Sequence, residues 1–227
     1  MDASSGLQGV KRLTLFCGHY GSGKTNVALN YAMELKRRGG EVTVADLDIV
    51  NPYFRTKDSR EELDRAGIRL ICSEYANTNL DIPALPPELY SVTDDKSRTV
   101  VLDIGGDDRG ALVLGRLAPG ILQENSYEMW MVINRYRPLT PDVSSTLEVM
   151  REIEQAGGIR FTGLVNNSNL GEMTEESDVL SSVAYAQAVS EASGLPVVMT
   201  AVKETLYPAL QGRIPDLFPL KLQKKII

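Results

Sequence analysis

The chain has 227 residues, with 24 Lys+Arg against 30 Asp+Glu and a formal net charge of −6. Its 43% hydrophobic content is enough for a core, which excludes an unstructured chain, and the acidic balance argues against generic nucleic-acid binding. One histidine and two cysteines exclude a multi-histidine metal centre and a disulfide scaffold.

No stretch approaches the roughly 18 apolar residues of a membrane span. Residues 1–12 lack the apolar core of a secretory leader. These features lead us to expect a cytoplasmic protein with one domain over residues 1–227. Short apolar runs at 13–17, 42–45, 68–71, 99–102, 129–133, 161–165 and 196–199 are bounded by Gly, Pro, Asn or Asp and read as buried strands. Helices are expected between them at 24–38, 58–66, 111–122 (broken near Pro119), 140–156 and 174–192, with a short one near 86–91. Strands alternating with helices imply an α/β fold of three layers, with a mostly parallel twisted sheet of about seven strands. The terminal LKLQKKII reads as a strand edge or frayed end, with a membrane or partner contact as the alternative.

The most informative string follows the first strand. Gly18-His19-Tyr20-Gly21-Ser22-Gly23-Lys24-Thr25 fits G-x-x-x-x-G-K-[ST], between a strand and a helix that continues through Asn26. Glycines let such a loop turn successive backbone N–H groups onto phosphate oxygens, and the helix adds its positive end. Lys24 is the candidate for the β- and γ-phosphates, and the Thr25 hydroxyl for Mg²⁺. A nucleotide hydrolase also needs carboxylates near the metal and the attacking water. Asp46 and Asp48 end the second strand and Asp103 ends the fourth, where open α/β sheets bind ligands.

Taken together, the residues resemble the MinD/ParA/CobQ branch of P-loop ATPases. The resemblance rests on the loop, on Asp46-Leu47-Asp48-Ile49, on Asp103-Ile104-Gly105-Gly106, on the Val132-to-Pro138 segment and on Phe161-to-Asn167. It implies ATP as nucleotide, Mg²⁺ as cofactor and hydrolysis that acts as a switch on a protein partner not identified by the sequence. By the same resemblance Lys24 and Asp48 are catalytic, Asp48 through the attacking water. Thr25, Asp46 and Asp103 serve the metal, and Asn167 reads the base, with Asn166 one register away. Val202, in a loop expected after the last strand, is a candidate for backbone contact with the base.

The sequence departs from the family at His19, where dimerising relatives carry a lysine that reaches the partner's phosphates. A nucleotide-dependent homodimer is therefore left open, and Arg55 or Arg109 is the expected substitute charge. Cys17 and Cys72 are read as core thiols away from Asp103, so no iron–sulfur cluster is expected. The alternatives are a carboxylate-activating ligase of the dethiobiotin synthetase or cobyrinate amidase type, and a GTPase. The loop lacks the G-T-D-T-G form of the former, and no N-K-x-D or T-K-x-D supports the latter.

Overall fold

The structure, a computed structural model, describes residues 9–48, 60–72, 87–106 and 108–222. Eight strands form one sheet: β1 (Leu13–Cys17), β2 (Val42–Leu47), β3 (Arg69–Cys72), β4 (Thr99–Ile104), β5 (Tyr127–Ile133), β6 (Gly163–Asn166), β7 (Val197–Lys203) and β8 (Leu217–Leu220). Their order is β3-β2-β4-β1-β5-β6-β7-β8, and every neighbouring pair is parallel. The helices are α1 (Lys24–Arg37), α2 (Arg60–Ala66), α3 (Pro87–Asp94), α4 (Asp108–Glu124), α5 (Val143–Gly157), α6 (Glu176–Ser193) and the single turn α7 (Tyr207–Leu210).

The strands lack polar alternation because both sheet faces are covered. Along β1, Leu13, Leu15 and Cys17 enter a core shared with α3, α4, α5 and α6, whereas Phe16 enters a second core shared with α1 and α2. Successive side chains therefore alternate between two apolar layers rather than between core and water. A smaller cluster joins Val179 of α6 to Val202, Leu210 and Ile214 near the β7–β8 edge. Among the described residues no helix is long and apolar enough to cross a membrane.

Three sequence expectations change. Helix α4 runs through Pro119 without a break. Pro119 is exposed, so water can take the hydrogen bond that its ring denies to the carbonyl one turn back. The sheet gains β8, a short edge strand whose central Pro219 disguised it in the sequence. The segment Ala201-Val202-Lys203 is not a loop. It completes β7, with Val202 paired to Pro219 and its side chain in the small third core.

Strand β1 lies between β4 and β5. The chain leaves β1 for β2 on one side and later crosses from β4 to β5 on the other. This reversal makes the crevice above β1 the natural ligand site of an open parallel sheet.

Candidate functional site

The loop Gly18–Gly23 occupies that crevice and leads straight into α1. Gly23 caps the helix with φ 88°, so no side chain caps it, and no acidic residue lies in the first turn. The N–H groups at the start of α1 thus remain directed at whatever occupies the loop. Two contacts brace the loop from outside. The Asn167 amide nitrogen donates to the Ser22 carbonyl at 2.7 Å, close enough that a Cβ on Gly23 would lie 2.4 Å from it. A Cβ on Gly106, beyond β4, would meet the Gly18 oxygen at 2.5 Å and the Tyr20 nitrogen at 2.7 Å. Only glycine allows the chain after Asp103 to lie against the loop this closely.

Lys24 is 5% exposed, and its ammonium donates to the His19 carbonyl at 3.3 Å. The cation is thus folded back across the loop onto a neutral acceptor. Thr25 follows it, also buried. Asp103 is 1% exposed, and neither carboxylate oxygen has a hydrogen-bond partner among the described residues. Burial raises its pKa above the ordinary carboxylate value, as does the charge of Asp46, while Lys24 and Thr25 pull it down. Asp46 sits opposite Asp103 in the β2–β4 register, and its carboxylate accepts the Asp48 backbone N–H at 3.1 Å.

This donor set suits Mg²⁺, a hard cation that keeps several waters and takes few protein ligands. The Thr25 hydroxyl and the unpartnered Asp103 carboxylate are oxygen donors at the mouth of the loop. Among the described residues no three His, Cys, Asp or Glu side chains group at metal-binding spacing, so these residues form no closed cage.

The two asparagines after β6 point to different tasks. Asn166 is satisfied at both ends, donating to Ser182 Oγ at 2.9 Å and accepting from Ser168 N–H at 3.3 Å. Asn167 reaches the loop, and its Oδ1 has no hydrogen-bond partner among the described residues. His19 Nδ1 lies 3.0 Å from the Tyr20 carbonyl, and Tyr20 is exposed. Asn26 lies one helical turn from Asn30, which donates to its carbonyl at 2.8 Å. Arg55 and the side chain of Arg109 lie outside the described residues.

Sequence reasoning placed Cys17 away from Asp103, and this is corrected. The order β4-β1 puts Asp103 opposite Phe16, one residue from Cys17. Deep burial raises the Cys17 thiol pKa, Lys24 lowers it, and Asp103 adds a smaller rise. Cys72, half-buried, accepts a hydrogen bond from Arg60 at 3.2 Å. The basic cluster at 36–38 is neutralised locally, with Arg37 and Arg38 on Glu34 and Lys36 on Glu41.

Sequence reasoning included Asn134 and Arg137 only as part of a resembling segment and gave neither a role. Asn134 is buried at the end of β5 and accepts the N–H groups of Tyr136 at 3.0 Å and Asn169 at 3.4 Å, tying the turns after β5 and β6 together. Arg137 lies against Gly21. Their place just beyond β5, next to the strand that bears the loop, was the available signal.

No protein-family model matches the sequence, and a search of curated proteins finds no match. Solved structures do match. FtsY from Thermotoga maritima gives a TM-score of 0.58 at 14% identity, covering 90% of this chain and 66% of that one. FtsY from Mycoplasma mycoides gives 0.56 at 17% identity, covering 85% and 60%. The signal recognition particle receptor FtsY from Elizabethkingia anophelis, in complex with GDP, gives 0.53 at 16% identity, covering 84% and 57%. This chain therefore spans less than two thirds of the length of those proteins. What the likeness shows is the architecture: the chain has the three-layer α/β fold of P-loop nucleoside triphosphatases.

Proposed function

We propose that the protein is a Mg²⁺-dependent nucleoside triphosphatase of the MinD/ParA-like switch type and that ATP is its nucleotide. The observation that carries this reading is the pairing of Lys24, buried and, among the described residues, hydrogen-bonded only to a neutral carbonyl, with an Asp103 carboxylate that has no hydrogen-bond partner among those residues, at an uncapped helix start. Charge-assisted hydrogen bonds to phosphate are stronger than a bond to a peptide oxygen, so Lys24 exchanges the His19 carbonyl for the phosphate chain. The loop amides hold the phosphates, while Thr25 and Asp103, supported by Asp46, hold Mg²⁺. When bound, the metal neutralises charge on the β- and γ-oxygens. Asp48 orients the attacking water. Gly106, resting on the loop, moves when a terminal phosphate arrives, and hydrolysis reverses that movement.

Asn167 supports adenine. Its amide nitrogen is committed to Ser22, which leaves an acceptor oxygen. Adenine offers an exocyclic N–H₂ donor where guanine offers a carbonyl. A second reading, GTP, is favoured by the FtsY structure in complex with GDP. Calorimetric titration with ATP, GTP and their diphosphates, with phosphate release for wild type, Lys24→Ala and Asp48→Ala, tests both. The expected result is tighter ATP than GTP binding, loss of binding in Lys24→Ala, and binding without turnover in Asp48→Ala. Tighter GTP binding selects the second reading, and failure to bind either triphosphate rejects both. Gel filtration of Asp48→Ala with ATP tests the homodimer.

A further inference from the structure

The turn after β5 is held firmly. Arg137 N–H donates to the Asn134 carbonyl at 3.1 Å, and Thr140 N–H donates to the Arg137 carbonyl at the same distance. Thr140 Oγ1 closes the turn onto Asn134 O at 2.8 Å. From this anchored backbone the Arg137 side chain reaches the phosphate loop. A Cβ built on Gly21 would lie 3.6 Å from Nε, 3.7 Å from Cδ and 3.9 Å from Cζ of Arg137. Gly21, at φ 78°, carries no side chain to keep the guanidinium away.

Arg137 is exposed, and among the described residues no carboxylate, carbonyl or aromatic ring engages its guanidinium. Its neighbour Arg135 is the contrast. That side chain donates to the Ser181 carbonyl at 2.9 Å and lies over the rings of Tyr136 and Tyr185. One arginine of the turn is thus structural, and the other is a cation with no counter-ion among the described residues, set against the backbone of the proposed phosphate loop. Guanidinium presents a planar fork of donors that matches two phosphate oxygens at once.

We infer that Arg137 binds the phosphate chain of the nucleotide in cis, supplying from within one chain a second cation beside Lys24. The inference rests on the proposed nucleotide site. It assigns to Arg137 the charge that sequence reasoning sought at Arg55 or Arg109, without needing a second copy of the chain.

The test compares ATP and ADP affinity, at low and high salt, for wild type, Arg137→Ala, Arg137→Lys and Arg160→Ala. Arg160 is an exposed arginine before β6, at the opposite edge of the sheet, and controls for net charge. Arg137→Ala is expected to weaken both nucleotides by about ten- to a hundredfold at low salt, with an unchanged melting temperature. Arg137→Lys, which keeps the charge but not the fork, is expected to fall between Arg137→Ala and wild type, and Arg160→Ala to match wild type. Wild-type affinity in Arg137→Ala, or an equal loss in Arg160→Ala, overturns this inference alone. No nucleotide binding by the wild type overturns the underlying reading and this inference together.

Discussion

Asn167 donates to the Ser22 carbonyl across 145 positions of sequence, fastening the end of β6 to the loop that follows β1. Strand β5 lies between those two strands, so this one hydrogen bond spans three strands at the edge of the sheet where the loop sits. Asn167→Ala leaves the buried Ser22 carbonyl without its donor. It is expected to lower stability by about 1–3 kcal/mol, and to weaken nucleotide binding because the loop loses its brace. Thermal unfolding together with titration measures both. An unchanged melting temperature would show that the clamp contributes nothing.

Asp103 predicts an opposition between stability and activity. Burial and the neighbouring Asp46 raise its folded pKa from the ordinary 3.8 of an aspartate to about 8, so the folded state binds this proton more tightly than the unfolded state does. Stability from this group is therefore present at pH below 3.8 and is lost as pH rises through the raised value. Without Mg²⁺ and nucleotide, Asp103→Asn is expected to melt near wild type around pH 4 and progressively above it toward neutral pH. The same variant is expected to lose Mg²⁺-dependent turnover. A wild type that gains stability relative to the variant as pH rises would contradict this sign.

Two glycines predict opposite outcomes for one substitution. A Cβ on Gly106 falls 2.5 Å from a backbone oxygen of the loop, so Gly106→Ala must separate the two segments and is expected to impair nucleotide binding. Gly115, inside α4, would place its Cβ an ordinary 3.5 Å from the Ala156 carbonyl. Gly115→Ala is expected to raise stability by about 0.5–1 kcal/mol through helix propensity, with binding unaffected. Calorimetry of both variants separates site geometry from backbone entropy.

Far from the site, Arg12 forms an ion pair with Glu124 and also donates to the carbonyls of Val92 at 2.8 Å and Asp95 at 3.2 Å. It joins β1, α3 and the end of α4. Because the pair is largely buried, Glu124→Ala strands a cation and is expected to cost about 3–5 kcal/mol. Chemical denaturation of Glu124→Ala and of a double variant, Arg12→Met with Glu124→Leu, is expected to show the double variant as the more stable.

The loop and its helix were legible in the sequence because glycine, lysine and threonine at fixed spacing have few other uses between a strand and a helix. The buried strands were legible from their apolar runs. The order of the strands was not, and this explains the misplacement of Cys17. Nothing in the string says that β4 inserts beside β1 and brings Asp103 next to it. Arg137 escaped for a related reason, since its importance depends on a turn after β5 folding back onto Gly21. Edge strand β8 was hidden by Pro219, which removes a donor that an edge position need not supply. Asn167 was favoured over Asn166 by register alone, and their different partners now separate them.

The chain contains one tryptophan, Trp130, and it is packed edge-on against Phe16 and Tyr31 with ring centroids 5.5 Å and 5.2 Å away. Phe16 is two residues from the start of the phosphate loop, and Tyr31 lies on the helix that the loop opens. The molecule therefore carries its own optical probe beneath the loop. Because it is the sole indole, any change in tryptophan emission on adding nucleotide is expected to report a shift in the packing of β1 and α1, which stopped-flow emission can follow without any attached dye.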